Sequence, residues 1–320
     1  MIHDLFGNAY VTQTEPLGIP YMGSKRKYAD ALITRMMELQ PNAKYFVDLF
    51  GGGGAMSFAA MQKGMTVHYN EKQTDMVVLM RFIFERMALP RSQYGLFPDE
   101  FYQFVTREQF MKLKHESGVY AQFVRICYSF GNNQRCYMFN PDLEKLKHLA
   151  HDVVMFRCKE SLAKLNEALG VTLSVSDKPH WNDRRLTLGV EIKKTGKRLD
   201  LQQLERLQQL ERLQQLQQLQ QLEPHITFSN LDYRDVVIAT PIAETIVYLD
   251  PPYRGTAKYI EGLNHDNLDA YFQALPYVAF MSEYTAPFKC VNEIQTRSTL
   301  SSTSNACKKI ERLYVNTPPE

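Results

Sequence analysis

Residues 44–54, KYFVDLFGGGG, constrain the fold more than any other part of this sequence. An apolar run of one strand's length meets four consecutive glycines, and residues 55–63 then read as a helix that stops at Gly64. Residues 66–69 read as a second strand and 73–86 as a second helix. Two strands joined through a glycine turn and a helix make a crossover unit, the start of a doubly wound α/β sheet. A helix over 25–39 precedes the unit. Tyr28, Ala31, Leu32, Met36 and Leu39 share one of its faces, and Pro41 ends it. The rhythm returns late, with a strand at 245–249, a helix near 266–275, a strand at 277–282 and a last strand near 310–316.

Between the halves, over 87–224, the rhythm breaks. The stretch is richer in polar and aromatic residues and has no repeating βα pattern. It is expected to be an insertion forming a second region, so that 1–86 and 225–320 make one discontinuous domain. The insertion ends in LQQLERLQQLERLQQLQQLQQLE, residues 201–223, with leucine at every third position. Helical composition favours a helix here, stopped by Pro224. At ~100° per residue, a step of three moves each leucine back by about 60°. The leucines therefore spiral instead of forming a coiled-coil seam. The expectation is a connector of tolerant length, with a partner-binding helix as the alternative.

Composition narrows the class. Of 320 residues, 44% are hydrophobic and 22% charged, which fits a folded globular protein. A net charge of +2 neither demands nor excludes nucleic acid. Five cysteines with no CxxC pair point to reduced thiols and away from a zinc site or a disulfide framework, so no metal is expected. No apolar run approaches the ~20 residues of a membrane span. The N-terminal residues lack a signal-peptide layout, and a cytoplasmic location is expected.

The glycine turn suits a ligand touching the main chain. No Lys-Ser/Thr follows the glycines, which argues against a phosphate-gripping loop. Glu71 lies at the end of the next strand, about 20 residues on, where an acid can hold ribose hydroxyls. A nucleoside without phosphate fits best. Late in the chain the apolar run 245–249 ends in Asp250-Pro251-Pro252-Tyr253, at the carboxyl edge where such sheets bind ligands.

These motifs resemble those of the Dam-like, D12 class DNA adenine-N6 methyltransferases. DLFGGGG is similar to that family's D-x-F-x-G-x-G element, and DPPY to its catalytic motif. Tyr21-Met22-Gly23-Ser24-Lys25 is similar to its aromatic-x-Gly-Gly-Lys element, with Ser24 in place of the second glycine. Residues 311–316 resemble its closing strand. The likeness covers about 1–85 and 225–320, in the family's motif order. It implies a Rossmann-like methyltransferase sheet with an inserted, mainly helical target-recognition domain. It implies S-adenosylmethionine as cofactor, with Asp48, Phe50, Gly52 and Gly54 at the methionine and ribose, Glu71 on the ribose, Asp232 and Tyr233 at the adenine ring, and Tyr21 and Lys25 closing the pocket.

The chemistry that DPPY then performs follows from the substrate. The exocyclic amine of adenine is a poor nucleophile, because its lone pair is delocalised. Asp250 can accept one N6–H and the carbonyl of Pro251 the other, aiming the lone pair at the methyl donor. Pro252 has no N–H of its own and fixes its φ. The two prolines hold the acceptors in place before substrate arrives. Tyr253 offers a ring for the base to stack on, and the base must leave the duplex to reach it.

Two surfaces are candidates for reading double-stranded DNA. In residues 128–137, Asn132, Asn133, Gln134 and Arg135 lie between aromatics, and their side chains suit base edges. In 177–198, basic residues that include Arg184 and Arg185 outnumber acids around Trp181, which suits phosphates. Two rival readings are cytosine N4 as the acceptor and a non-catalytic DNA-binding scaffold assembled through the leucine tract. The pattern leaves room for a weak homodimer and for a cognate restriction nuclease.

Overall fold

A computed structural model describes residues 2–3, 9–10, 18–21, 23–86, 92–213, 226–254, 263–297 and 308–316. Strands β1 (Ile2–His3) and β2 (Ala9–Tyr10) pair antiparallel. The crossover expected from the glycine turn is present. It runs from α1 (Ala29–Leu39) through β3 (Tyr45–Asp48), α2 (Ala55–Gln62) and β4 (Thr66–Asn70) to α3 (Thr74–Arg86). Helix α1 begins later than its apolar pattern suggests, because residues 25–28 form a turn closed by Tyr28 N–H on the Lys25 carbonyl at 2.7 Å.

The stretch expected to be an insertion is mainly helical over its described residues, 92–213. It contains α4 (Arg107–Leu113), α5 (Val119–Tyr128), α6 (Pro141–Phe156), α7 (Lys159–Leu169), α8 (Trp181–Lys194) and α9 (Gln202–Arg212). The chain returns through β5 (Ile226–Ser229), β6 (Thr245–Leu249), α10 (His265–Ala274), β7 (Val278–Glu283), β8 (Lys289–Arg297) and β9 (Lys308–Val315).

Seven strands form one sheet in the order β5-β4-β3-β6-β7-β9-β8. The first five in that order are parallel, and β9 runs antiparallel to both β7 and β8. The chain winds outward in opposite directions from β3 and β6, so the switch point lies between them. Their register sets Asp48 opposite Tyr248, two residues before Asp250. Both acids therefore sit at the carboxyl ends of adjacent central strands, where ligands of such sheets bind. Every residue of β6 is buried, as a strand covered on both faces requires.

The strand alternation divides the core. Phe46, Ile246 and Tyr248 face one side, and Val47, Val247 and Leu249 face the other with Leu268 and Phe272 of α10. The first side is continuous with the insertion. Phe97, Phe101, Phe123, Trp181 and the leucines of α9 belong to the same apolar cluster as Phe46 and Phe58. Asp75 of α3 and Arg125 of α5 add an ion pair of 2.6 Å between the two parts.

The leucine tract departs from the expectation of a tolerant connector. Leu201, Leu204, Leu207, Leu210 and Leu213 are all buried. The spiral of leucines is real, and α9 accommodates it because neighbours surround most of its circumference. It packs on α5 and α8. The rest of the tract, with Leu216, Leu219, Leu222 and the expected stop at Pro224, lies outside the described residues, as do Met22, Gly255 and Cys307.

Candidate active site

A cavity of about 2110 Å³ opens over the carboxyl edge at the switch point. Single ligand pockets run to roughly 1,000 Å³, so there is room here for more than one group. The glycine loop, the turn 20–28, residues 250–253, the loop 130–136 and one face of α9 line it.

The glycine loop is shaped by packing. A Cβ on Gly53 would lie 2.6 Å from the Ile19 carbonyl, and Gly54 caps α2 at φ +74°, a left-handed conformation that favours glycine. Ile19 N–H donates to the Gly53 carbonyl at 2.8 Å, which ties the 18–21 segment to the loop. The Tyr21 ring then stands over Gly52. Phe50 stacks on Tyr233 with ring centroids 5.3 Å apart. Asp232 caps the turn beginning at Tyr233 and pairs with Lys72 at 3.0 Å and Arg234 at 2.8 Å. The hydrogen bond from Arg234 is the largest influence holding its carboxyl below the usual range.

Two acids frame the loop. Glu71 accepts from the N–H of Gly52 at 2.9 Å and of Gln73 at 2.8 Å, and burial still pushes its pKa up. Asp48 is 1% exposed. Its Oδ2 accepts from Ser57 of α2 at 2.7 Å, while Oδ1 has no partner among the described residues. Burial pushes its pKa to about 7 against the Ser57 hydrogen bond, and the nearby Asp250 and Glu71 add to the rise. Ser57 escaped the sequence reading. Its position three residues after the last glycine, in the first turn of α2, is the signal that could have found it.

Residues 250–253 are fixed from both ends. Lys25 is 4% exposed, and its ammonium lies 2.8 and 2.9 Å from the two carboxylate oxygens of Asp250 and 3.2 Å from the Gly23 carbonyl. It also lies 4.9 Å from the centre of the Tyr253 ring. Lys25 is thus bound to Asp250 itself, a more specific place than a pocket-closing lysine. After Tyr253, the Arg254 backbone N–H donates to Glu283 at 3.1 Å, and its guanidinium pairs with Asp269 of α10 at 2.6 Å. Glu283 also accepts from Tyr284 N–H at 2.7 Å, and Tyr284 meets the Tyr253 ring edge-on at 4.7 Å. Burial raises the carboxyls of Glu283 and of Glu311, which also lines the cavity. Glu283 carried no motif signal in the sequence, and Glu311 entered only as the start of the closing strand.

The loop candidates for DNA reading all line the cavity. Their side chains differ in what they already bind. Asn133 Oδ1 accepts from the N–H of Arg135 and Cys136, and Gln134 Oε1 accepts from Gln73 and Gln122 at 3.1 Å. Asn132 Oδ1 has no partner among the described residues, and Arg135 is exposed. Phe130, 59% exposed, stands beside them. Asn132 and Gln134 both hold positive φ, at 59°, so the tight turn is strained.

The basic stretch needs correction. Arg184 is 7% exposed, and its guanidinium donates to the carbonyls of Val154, Met155, Lys178 and Pro179 at 2.5–3.1 Å. It closes the carboxyl end of α6 and is not free for phosphate. Arg185 is half-buried against Asn182 and Gln208. Trp181 is core, 2% exposed. None of the three lines the cavity.

The geometry is that of two carboxyl-terminal acids at a switch point beside a glycine loop. The model of the D12 class N6 adenine-specific DNA methyltransferase family matches residues 21–158 and 196–317, most of the chain. The chain belongs to that family. It is therefore an enzyme, a DNA methyltransferase acting on N6 of adenine, which sets aside the cytosine and the scaffold readings. No curated protein matches it. The family match reaches further into the insertion of this D12 methyltransferase than the motif resemblance did. It leaves out 159–195, which holds α7, α8 and most of the basic stretch.

Proposed function

We propose that this D12 methyltransferase takes its methyl group from S-adenosylmethionine and transfers it directly to an adenine flipped out of duplex DNA, with Asp250 as the orienting acceptor. The observation that carries the reading is the Lys25–Asp250 pair at the switch point, one strand from the half-satisfied Asp48.

The residues fit the cofactor. Asp48, Glu71, Asp250 and Glu311 line one cavity, and Lys25 is the cation bound among them. The Asp48 oxygen without a partner among the described residues favours a cationic group beside it. Asp48 Oδ1 is suited to accept from an ammonium, and the N–H groups of Gly53 and of the first turn of α2 are suited to a carboxylate. Glu71 and the stacked Phe50 and Tyr233 suit a nucleoside. When bound, the cofactor supplies a methyl group on a positively charged sulfur.

Asp250 and the Pro251 carbonyl each accept one N6–H, which localises the amine lone pair and directs it at that carbon. Each carboxylate oxygen keeps a lone pair beyond the one facing Lys25. Lys25 acts as a positioning residue that holds the carboxylate in one orientation. Adenine would stack on the Tyr253 ring. As the nitrogen–carbon bond formed, the donor's sulfur–carbon bond would break to leave a neutral thioether, the amine would become cationic, and Asp250 would be placed to accept the proton it sheds.

The test is methyl transfer from labelled S-adenosylmethionine to unmethylated duplex DNA, with the product digested to nucleosides. N6-methyladenine is expected. Asp250→Ala should abolish transfer while cofactor binding survives. Robust transfer by that variant sinks the mechanism.

A further inference from the structure

Helix α9 presents two chemically distinct faces. Its leucines are core, while Gln202, Glu205 and Gln209, spaced i, i+3 and i+7, line the cavity that also holds Asp250 and the loop 130–135. A tract that reads as low complexity therefore supplies part of the substrate wall. We propose that Glu205 on this wall reads one base of the recognition sequence, accepting the N4 amine of a cytosine. The proposal rests on the family's action on DNA.

The tract repeats the unit LER, and the structure uses its two copies differently. In the second, Glu211 accepts from Leu96 N–H at 3.1 Å and from the Tyr102 hydroxyl, so it fastens α9 to the segment before α4. In the first, Glu205 is exposed and its carboxylate makes no hydrogen bond or ion pair among the described residues. Arg185 and Arg206 lie within electrostatic reach of Glu205 but hydrogen-bond elsewhere. Arg206 donates to the carbonyls of Ile126, Cys127 and Ser129 at 2.7–3.2 Å, bracing the end of α5 and the start of the loop 130–136. The neighbouring Gln209 amide oxygen accepts from Arg26 at 2.7 Å.

This wall thus offers carboxylate and amide groups, not free cations. Phosphate contacts come from Lys, Arg and backbone N–H groups. A carboxylate facing a polyanion is repelled unless it receives a donor. Among base edges, the cytosine N4 amine is the donor that Glu characteristically takes. The loop braced by Arg206 carries Asn132 and Arg135, so α9 and that loop form one reading surface whose parts are fixed to each other.

Glutamine prefers adenine edges, so Glu205→Gln tests the assignment by changing specificity rather than by loss alone. Full-length wild-type and variant chains would each methylate genomic DNA, and modification-detecting sequencing would give their motifs. The expected result is a wild-type motif with a cytosine that Glu205→Gln replaces by adenine or leaves degenerate. The variant's kcat/KM on the wild-type site should fall roughly 10- to 100-fold, the range of one good base contact. The cofactor Kd and Tm should stay unchanged. An identical motif with kcat/KM within about twofold would overturn the inference. So would an equal loss on every sequence, or a wild-type motif with no cytosine beyond those indifferent to the change. A wild-type chain that methylates no DNA would overturn the parent reading and this inference together.

Discussion

Asp48 and Asp250 are two acids at the ends of adjacent strands, and their surroundings give them opposite situations. Asp250 has an ammonium on both oxygens, whereas Asp48 has one serine hydroxyl and full burial. A carboxyl raised to about 7 in the fold favours the folded state most when protonated. Its contribution is complete below the unfolded value near 3.8 and is lost as pH rises through about 7. In the ligand-free chain Asp48→Asn should flatten the fall in Tm between roughly pH 4 and 7, as thermal melts across that range would show. A cationic ligand beside Oδ1 favours the carboxylate, so cofactor affinity should rise through the same window in the wild type and not in the variant. Calorimetry in buffers of different ionisation enthalpy would detect the proton released. For Lys25→Met, the pair predicts a kcat lowered by about 10²-fold or more, with a smaller change in KM, the pattern of a residue that orients a reacting group. Equal kcat in a rapid-mixing assay would count against it.

At the scale of elements, α8 and α9 both bury residues that their sequences suggested were exposed. The basic 177–198 stretch looked like a phosphate surface, yet Arg184 faces inward because the end of α6 leaves carbonyls that need donors. Arg184→Ala should lower stability by about 1–3 kcal/mol, the cost of leaving such groups unpaired, with an unchanged salt slope of DNA binding. The leucine tract looked like a connector, yet Leu207 is 2% exposed. Leu207→Ala should cost about 2–5 kcal/mol in denaturant unfolding, since a cavity opens where α5, α8 and α9 meet. A connector would lose almost nothing.

For the whole molecule, the continuous apolar cluster predicts cooperative behaviour. Phe46 and Phe58 of the sheet layer and Phe101, Trp181 and Leu210 of the insertion pack in one core. Scanning calorimetry should therefore show a single unfolding transition shared by near-UV and far-UV signals, and not two separated by the 86/87 and 224/225 boundaries. The same continuity gives the cavity its walls. Sheet residues supply the acids, and the insertion supplies the loop and the α9 face.

Much was legible in the sequence because local chemistry determines it. Four glycines after a strand, an acid at the next strand's end and an acid before two prolines specified the sheet, the family resemblance and the positions of Asp48, Glu71 and Asp250. Strand edges with mixed polarity, β5 and β8, carried no such signal and went unread. What only the tertiary structure decided are the partners of long side chains. Lys25 meets Asp250 across 225 residues, Glu283 anchors the DPPY turn, Arg184 turns inward and Glu205 stays open. The reason is physical. A backbone motif is set by neighbours in sequence, whereas the use of a charge depends on which carbonyls, carboxylates or solvent the fold brings within about 3 Å of it.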